Sequence, residues 1–169
     1  MAHPSANREH ERPHGVSSHG VGLFFGTFTP TPNHSWYAHG VAEQTLPTLY
    51  ERVGGESGVR RLVDRFYDLM DSLPQARSLR DLHATSLLES RDKLFEFLSG
   101  WLGGPPLYVN KRGHPRLRAR HMPFVIDDAG VDAWLLCMNR ALDETVADTD
   151  AVAKLQGALL PLAMHMKNS

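Results

Sequence analysis

Cysteine, long apolar runs and net charge are what this sequence has least of. Its single cysteine, Cys137, excludes an internal disulfide and a zinc site built from several cysteines. No apolar run approaches the ~18 residues that span a bilayer, and residues 21–28 lack the charged start of a signal peptide. The net charge of -1 argues against a nucleic-acid partner, because a phosphate backbone demands surplus cations. We therefore expect a cytoplasmic protein with no membrane or nucleic-acid partner.

The composition divides the 169 residues into two parts. Six of the ten histidines precede residue 45, among many Gly, Ser and Pro residues and without sustained periodicity. Such a segment cannot bury enough apolar surface to offset the entropy of ordering it. We predict a disordered extension over residues 1–45 and one folded domain over residues 46–169.

From residue 46 onward the apolar residues recur with helical spacing, and no stretch alternates as a strand does. The residues that cap or break helices predict five of them. The first is short, over 45–53, and is stopped by Gly54 and Gly55; the second is capped by Ser57 and ended by Pro74; the third runs from near Ser86 to Gly103. The fourth is capped by Asp127 or Asp128, and the fifth by Asp148 or Asp150. The predicted fold class is all-α.

Two proline- or glycine-dependent features qualify this pattern. Pro161 lies inside the fifth helix and is expected to kink it or open it locally. The dozen residues after Gly103 are rich in glycine and proline, so we predict a loop there, followed by a short helical turn through His121.

His121 lies between the arginines at 116, 118 and 120 and the apolar residues 122–126. A neutral imidazole is a good iron ligand, and arginine is shaped to hold carboxylates. Haem offers both an iron and two propionates. The alternative is a capped helix end with solvated arginines. His114 is the rival ligand, but Pro115 restricts its backbone to extended forms, which favours a loop residue.

Tyr67, Trp134 and His83 are expected to point toward the interior, and each carries a hydrogen-bond donor. Burying a donor without an acceptor is costly, so three donors around one apolar cavity need a polarised guest, such as dioxygen on haem iron. The alternative is an ordinary aromatic core.

Three sequence motifs, taken together with their order and spacing, resemble those of a known protein family. They are WLGGP at 101–105, GHPRLRARHMPF at 113–124 with Tyr108 before it, and DAWLLCM at 132–138. Together with Tyr50, Gly54-Gly55 and the Phe66-Tyr67 pair, they resemble the group II truncated haemoglobins from about residue 46 to the C-terminus.

The resemblance implies a truncated globin, a two-over-two helical sandwich around haem b. It assigns the proximal iron ligand to His121 and distal hydrogen bonds to Tyr67 and Trp134. His83 becomes a third distal residue after a one-residue gap in the alignment. The other implied contacts are Ser90 and Leu94 in the distal pocket, and Lys93, Tyr108, Arg120, Phe66, Phe97, Phe124 and Met138 at the propionates or the pocket wall. Lys93 has the alternative of a solvated helix residue.

The leading hypothesis is reversible binding of dioxygen, NO or CO at five-coordinate iron, with slow release because of the distal hydrogen bonds. The second is enzymatic, either NO detoxification or peroxidase-type reduction. It requires an external reductase, since the sequence has no flavin or nicotinamide fingerprint. A haem-free globin-fold sensor is the remote third. A homodimer is an open expectation.

Overall fold

The computed structural model describes residues 46–169, which fold into eight α-helices and one 3-10 turn. The helices are α1 Leu49–Val53, α2 Gly55–Ser72, α3 Arg77–Asp81, α4 Leu88–Trp101, α5 Leu107–Arg112, α6 Leu117–His121, α7 Asp128–Thr145 and α8 Thr149–Met166, and the 3-10 turn is Pro74–Ala76. No strand occurs within residues 46–169, so the predicted all-α class is confirmed. The disorder expected of residues 1–45 lies outside the described residues.

A side-chain cap fixes where α1 begins, and a glycine fixes where it ends. Glu51 N–H donates to the Thr48 hydroxyl (3.2 Å), and Thr48 N–H donates to the Glu51 carboxylate (2.8 Å), a capping box that starts α1 at Leu49. Gly54 then ends α1 in the left-handed conformation, with φ 106°. Ser57 lies inside the first turn of α2 and donates its hydroxyl to the Gly54 carbonyl, so the prediction that it caps this helix was wrong.

Two of the predicted aspartate caps are present, and one also joins two helices. Asp127 accepts from Gly130 N–H at 2.8 Å and starts α7. Asp148 accepts from Ala151 N–H at 3.0 Å and starts α8. The Arg52 guanidinium on α1 donates to both Asp148 oxygens at 2.7 and 2.8 Å, which lowers the pKa of Asp148 to about 2.

Short helices were missed on both sides of α4. The 3-10 turn and α3 occupy the connection after Pro74, and α5 interrupts the loop predicted after Gly103. A helix of six residues is too short to be stable alone, so contacts with α4 must support it. Lys111 and Arg112 of α5 donate to the carboxylate of Glu96, a buried α4 residue, at 2.7 and 2.5 Å. Such a long-range charge pairing leaves no periodic signal in the sequence.

Pro161 does not interrupt α8, which runs continuously from Thr149 to Met166. A proline lacks the N–H that would bond the carbonyl four residues earlier, here Gly157. Both residues are exposed, so solvent satisfies that carbonyl and the helix tolerates the lost bond.

The WLGGP motif ends α4 against α1 through close backbone packing. Tyr50 N–H donates to the Leu102 carbonyl at 2.9 Å, and Gly103 adopts φ 89°. A Cβ on Gly104 would lie 2.4 Å from the Tyr50 ring, so only glycine leaves room for this contact.

The long helices form two layers. Helices α2 and α4 pack on each other, α7 and α8 pack on each other, and the most extensive contact is between α2 and α7. The fully buried side chains between them include Leu62, Phe66, Met138, Leu142, Leu155 and Leu159. This is the predicted two-over-two sandwich. No helix of the described range is both long and apolar enough to cross a membrane.

Gly58 and Gly157 provide a matched test of this packing. A Cβ on Gly58 would lie 2.0 Å from the Val53 carbonyl oxygen, whereas one on Gly157 meets nothing within 4 Å. We expect Gly58→Ala to lower the free energy of unfolding by about 3 kcal/mol. Gly157→Ala should raise it by up to about 1 kcal/mol. Urea unfolding monitored by circular dichroism measures both, and equal effects would contradict the packing described.

Candidate functional site

His121 is held in one ring orientation by its own helix. It is the last residue of α6, and its Nδ1 lies 2.7 Å from the Leu117 carbonyl oxygen one turn earlier. A carbonyl can only accept, so Nδ1 carries the proton and the neutral ring keeps its lone pair on Nε2. The ring is half-buried. This is the state of an imidazole prepared to bind a metal through Nε2.

His114 has the opposite arrangement. Its Nδ1 accepts the Arg116 N–H at 3.1 Å, so the neutral ring carries its proton on Nε2 and offers no free lone pair. The side chain is exposed in the turn before α6. Of the two histidines considered as iron ligands, the geometry therefore favours His121.

The C-terminal residues fasten the segment that follows His121. The Asn168 amide nitrogen donates to the carbonyls of Phe124 (2.8 Å) and His121 (3.3 Å), and its side-chain oxygen accepts from Ile126 N–H (2.9 Å). The Arg118 guanidinium also donates to the carbonyls of His165 and Lys167, which precede Asn168 in the chain. Sequence reasoning missed Asn168, because an asparagine after the last helix has no pattern that marks it.

Tyr67 and Trp134 meet around Phe66. The Phe66 ring centroid lies 4.9 Å from that of Tyr67 and 5.5 Å from that of Trp134. Burial raises the pKa of Tyr67 to about 12, so its hydroxyl keeps its proton and remains a donor. Trp134 lies on α7, and its indole N–H can only donate a hydrogen bond. Two donors predicted for the distal side thus lie in one cluster.

His83 lies beside Tyr67, with ring centroids 5.9 Å apart in an edge-to-face arrangement. Its Nδ1 is 3.0 Å from the Leu79 carbonyl, the same relation that His121 has with Leu117. Burial lowers the pKa of His83, the Leu79 carbonyl opposes this, and the charges of Arg80 and His121 add to the lowering.

Helix α4 places the predicted Ser90 and Leu94 at the same pocket. Ser90 opposes the effect of burial on the pKa of Tyr67, and half-buried Leu94 packs against the core. Sequence reasoning missed Arg91, whose guanidinium lies 5.6 Å from the centre of the Tyr67 ring and donates to Asp68 at 2.7 Å. In the sequence, the position of Arg91 in the helical pattern predicts only a solvent-exposed residue.

A second cluster joins three of the predicted wall residues. The Phe97 centroid lies 6.3 Å from Trp101 and 6.4 Å from Tyr108, and the Arg120 guanidinium is 5.9 Å from the Tyr108 ring centre. Phe97 and Trp101 also line a groove of about 420 Å³ at α6, whose other lining residues are His114, Pro115, Arg116, Leu117, Arg118, Ala119, Leu162, His165 and Met166. The groove has an apolar floor and a basic rim.

This part of the chain is suited to carboxylates. No aspartate or glutamate occurs between Glu96 and Asp127, although five lysines and arginines do. Arg116 has φ 45° and ψ 47°, the left-handed region that favours glycine. Strained non-glycine backbone concentrates at functional sites, so Arg116 is a candidate for binding a carboxylate.

The remaining four predicted haem contacts lie either away from these two clusters or deeper in the core. Lys93 is exposed and pairs with Glu89 at 2.7 Å, one turn earlier on α4. Phe66 and Met138 are completely enclosed by the core, where they support the pocket-facing residues. Phe124 is 43% exposed, three residues after His121.

The chain belongs to the bacterial-like globin family, whose model matches residues 48–168. It is 41% identical over 125 residues to group 2 truncated hemoglobin YjbI of Bacillus subtilis (strain 168), covering 74% of this chain and 92% of the relative. The cold-adapted truncated hemoglobin of Pseudoalteromonas haloplanktis TAC125 is similar in structure, with a TM-score of 0.72 and 47% identity over 73% of this chain and 99% of the other. The group II 2-on-2 hemoglobin of Agrobacterium tumefaciens is also similar in structure, with a TM-score of 0.72 and 46% identity. The match covers 75% of this chain and 98% of the other.

These similarities confirm the predicted family and fold, and with them haem-based binding of small ligands in general. The residues of this chain also fit haem. His121 offers one free imidazole lone pair beside a carboxylate-free basic segment. Apolar side chains stand open around it, with Trp101 36% and Phe124 43% exposed, as a flat apolar ligand with two carboxylates would require.

Asn168 provides a test of the C-terminal fastening. Asn168→Ala removes three hydrogen bonds that hold the backbone after His121, so we expect the variant to lose haem several-fold faster, at little cost in overall stability, since the residue lies outside the core. Haem transfer to apomyoglobin measures the rate. Ser169→Ala, at an exposed neighbour, is the control, and equal rates in all three proteins would refute the role.

Proposed function

We propose that residues 46–169 bind dioxygen reversibly, together with related diatomic ligands such as NO and CO, at haem b held by His121. The observation that carries the proposal is the 2.7 Å hydrogen bond from His121 Nδ1 to the Leu117 carbonyl, which leaves Nε2 free. Haem, when bound, supplies the iron atom to which such ligands attach. Arg120, beside Tyr108, and Arg116 would hold the propionates.

The chain itself contributes donors on the other side of the pocket. Tyr67 stays protonated because its pKa is raised to about 12, and the Trp134 indole can only donate. A bound ligand that draws negative charge onto its outer atom accepts from both. Each such hydrogen bond contributes roughly 1.5–3 kcal/mol, which slows release by about one to two decades. We infer an oxygen-binding protein with slow release. The external reductase and the homodimer stay predictions.

His121→Gly tests the iron ligand. We expect the variant to lose most of its Soret absorbance while keeping its helical circular dichroism, and added imidazole to restore the absorbance by filling the space left by the ring. His114→Gly is the matched control and should retain haem, since the His114 lone pair is used by Arg116 N–H. If His114→Gly lost haem and His121→Gly kept it, His114 and not His121 would be the iron ligand.

Tyr67→Phe and Trp134→Phe test the donors. Each removes one hydrogen bond to the ligand, so we expect dioxygen to dissociate at least about ten-fold faster from either variant. The release of CO, which accepts hydrogen bonds weakly, should change much less. Stopped-flow measurement on these variants decides, with Tyr50→Phe as a tyrosine control that lies at the α4–α1 contact. Unchanged oxygen release in both pocket variants would contradict the proposal.

A further inference from the structure

Glu96 is the only buried charged side chain within residues 46–169, with 5% of its surface exposed. A carboxylate is costly to remove from water unless its charge is paired and its oxygens are hydrogen-bonded. Lys111 donates to one oxygen at 2.7 Å, and Arg112 donates to the other at 2.5 Å. The Arg112 hydrogen bond lowers the pKa of Glu96 against the opposing effect of burial, so the carboxylate is charged at neutral pH. Its burial therefore depends on both cations of α5.

Two side chains of α4 hold the two ends of α5. Glu96 bonds Lys111 and Arg112 at the C-terminal end of α5. Ser99, which is completely buried one turn after Glu96, donates its hydroxyl at 2.8 Å to the Pro105 carbonyl just before α5 begins. A helix of six residues is not stable alone, so these bonds determine where α5 lies.

Tyr108 on α5 connects Glu96 to the proposed haem site. It is 6% exposed and lies one helical turn before Lys111 and Arg112. The centre of its ring is 5.9 Å from the guanidinium of Arg120, one of the two arginines proposed above to hold the propionates. A shift of α5 would move Tyr108 relative to Arg120, so Glu96 acts on this pair through α5.

The basic segment contains more cations than two propionates need. Five lysines and arginines lie between residues 96 and 127. Glu96 engages the two on α5, and Arg118 donates to backbone carbonyls near the C-terminus. Arg116 and Arg120 remain, which is one guanidinium group for each propionate.

We propose that Glu96 is a positioning residue for haem. By holding the two cations of α5, it places Tyr108 beside Arg120 and leaves the propionates to Arg116 and Arg120. The inference deepens the proposed function and rests on it, because it concerns how the same site receives the two carboxylates. The effect of Glu96 on the cofactor therefore depends on the propionates, which distinguishes it from a residue that only stabilises the core.

Glu96→Gln, compared on two forms of the cofactor, tests this role. The variant keeps the shape of the side chain and removes its charge, so α5 should loosen and Tyr108 should lose its fixed position. We expect haem to transfer to apomyoglobin roughly five-fold faster from the variant than from the unaltered protein. Haem dimethyl ester, whose propionates are uncharged, should leave the two proteins at rates within about two-fold of each other. Equal acceleration of both cofactors, or of neither, would overturn the proposal.

Two further variants keep the test decisive. Lys111→Met removes one of the two bonds at a side chain that is 63% exposed, so it should fold normally and speed the loss of haem alone, by about two-fold. Asp92→Asn is the matched control and should release both cofactors at the original rates, because Asp92 lies one turn before Glu96 and pairs with Arg60 of α2 at 3.0 Å. No selective effect in Lys111→Met, or an effect of Asp92→Asn equal to that of Glu96→Gln, would also contradict the assignment. An unaltered protein that gains no Soret band with haem would instead refute the proposed function, which keeps the two failures distinct.

Discussion

The hydrogen bond between His121 Nδ1 and the Leu117 carbonyl determines what the rest of the domain can do. It fixes which ring nitrogen carries the proton and so leaves the lone pair on Nε2. A helix of five residues is not stable alone, so α6 needs contacts from elsewhere in the chain. The bonds from Asn168 to the carbonyls of Phe124 and His121 supply the support that α6 lacks. The C-terminus thus supports the backbone around His121, the residue that we propose binds the iron.

The opposite wall depends on the contact between α2 and α7. Phe66 lies between Tyr67 of α2 and Trp134 of α7 and touches both rings, so packing of the core fixes the distance between two donors. Phe66 itself is 1% exposed, which leaves it no alternative position. The adjacent Phe66 and Tyr67 of α2 therefore differ in role: Phe66 is enclosed by the core, and Tyr67 is the residue that we propose faces the ligand.

Features with local chemistry could be predicted from the sequence, and features with long-range partners could not. The caps at Asp127 and Asp148, the stop at Gly54 and the all-α class follow from short-range rules. Helix α5 depends on Glu96 in a different helix, and Asn168 acts on a segment more than forty residues earlier, so neither had a local signal. The site shows the same division: His121 had a motif around it, whereas Arg91 beside Tyr67 had none.

The two half-buried histidines show why residue type alone cannot assign roles in such a pocket. His83 and His121 each bond the carbonyl of the residue four positions earlier and each present Nε2. Their neighbouring residues distinguish them, because His121 adjoins the basic, carboxylate-free segment and His83 adjoins Tyr67. A lone pair beside carboxylate-binding arginines suits a metal whose cofactor carries propionates, whereas a lone pair beside a phenol suits a partner that donates a hydrogen bond. The same backbone hydrogen bond sets the free nitrogen of both rings, and only the neighbouring residues distinguish the proposed iron ligand His121 from His83.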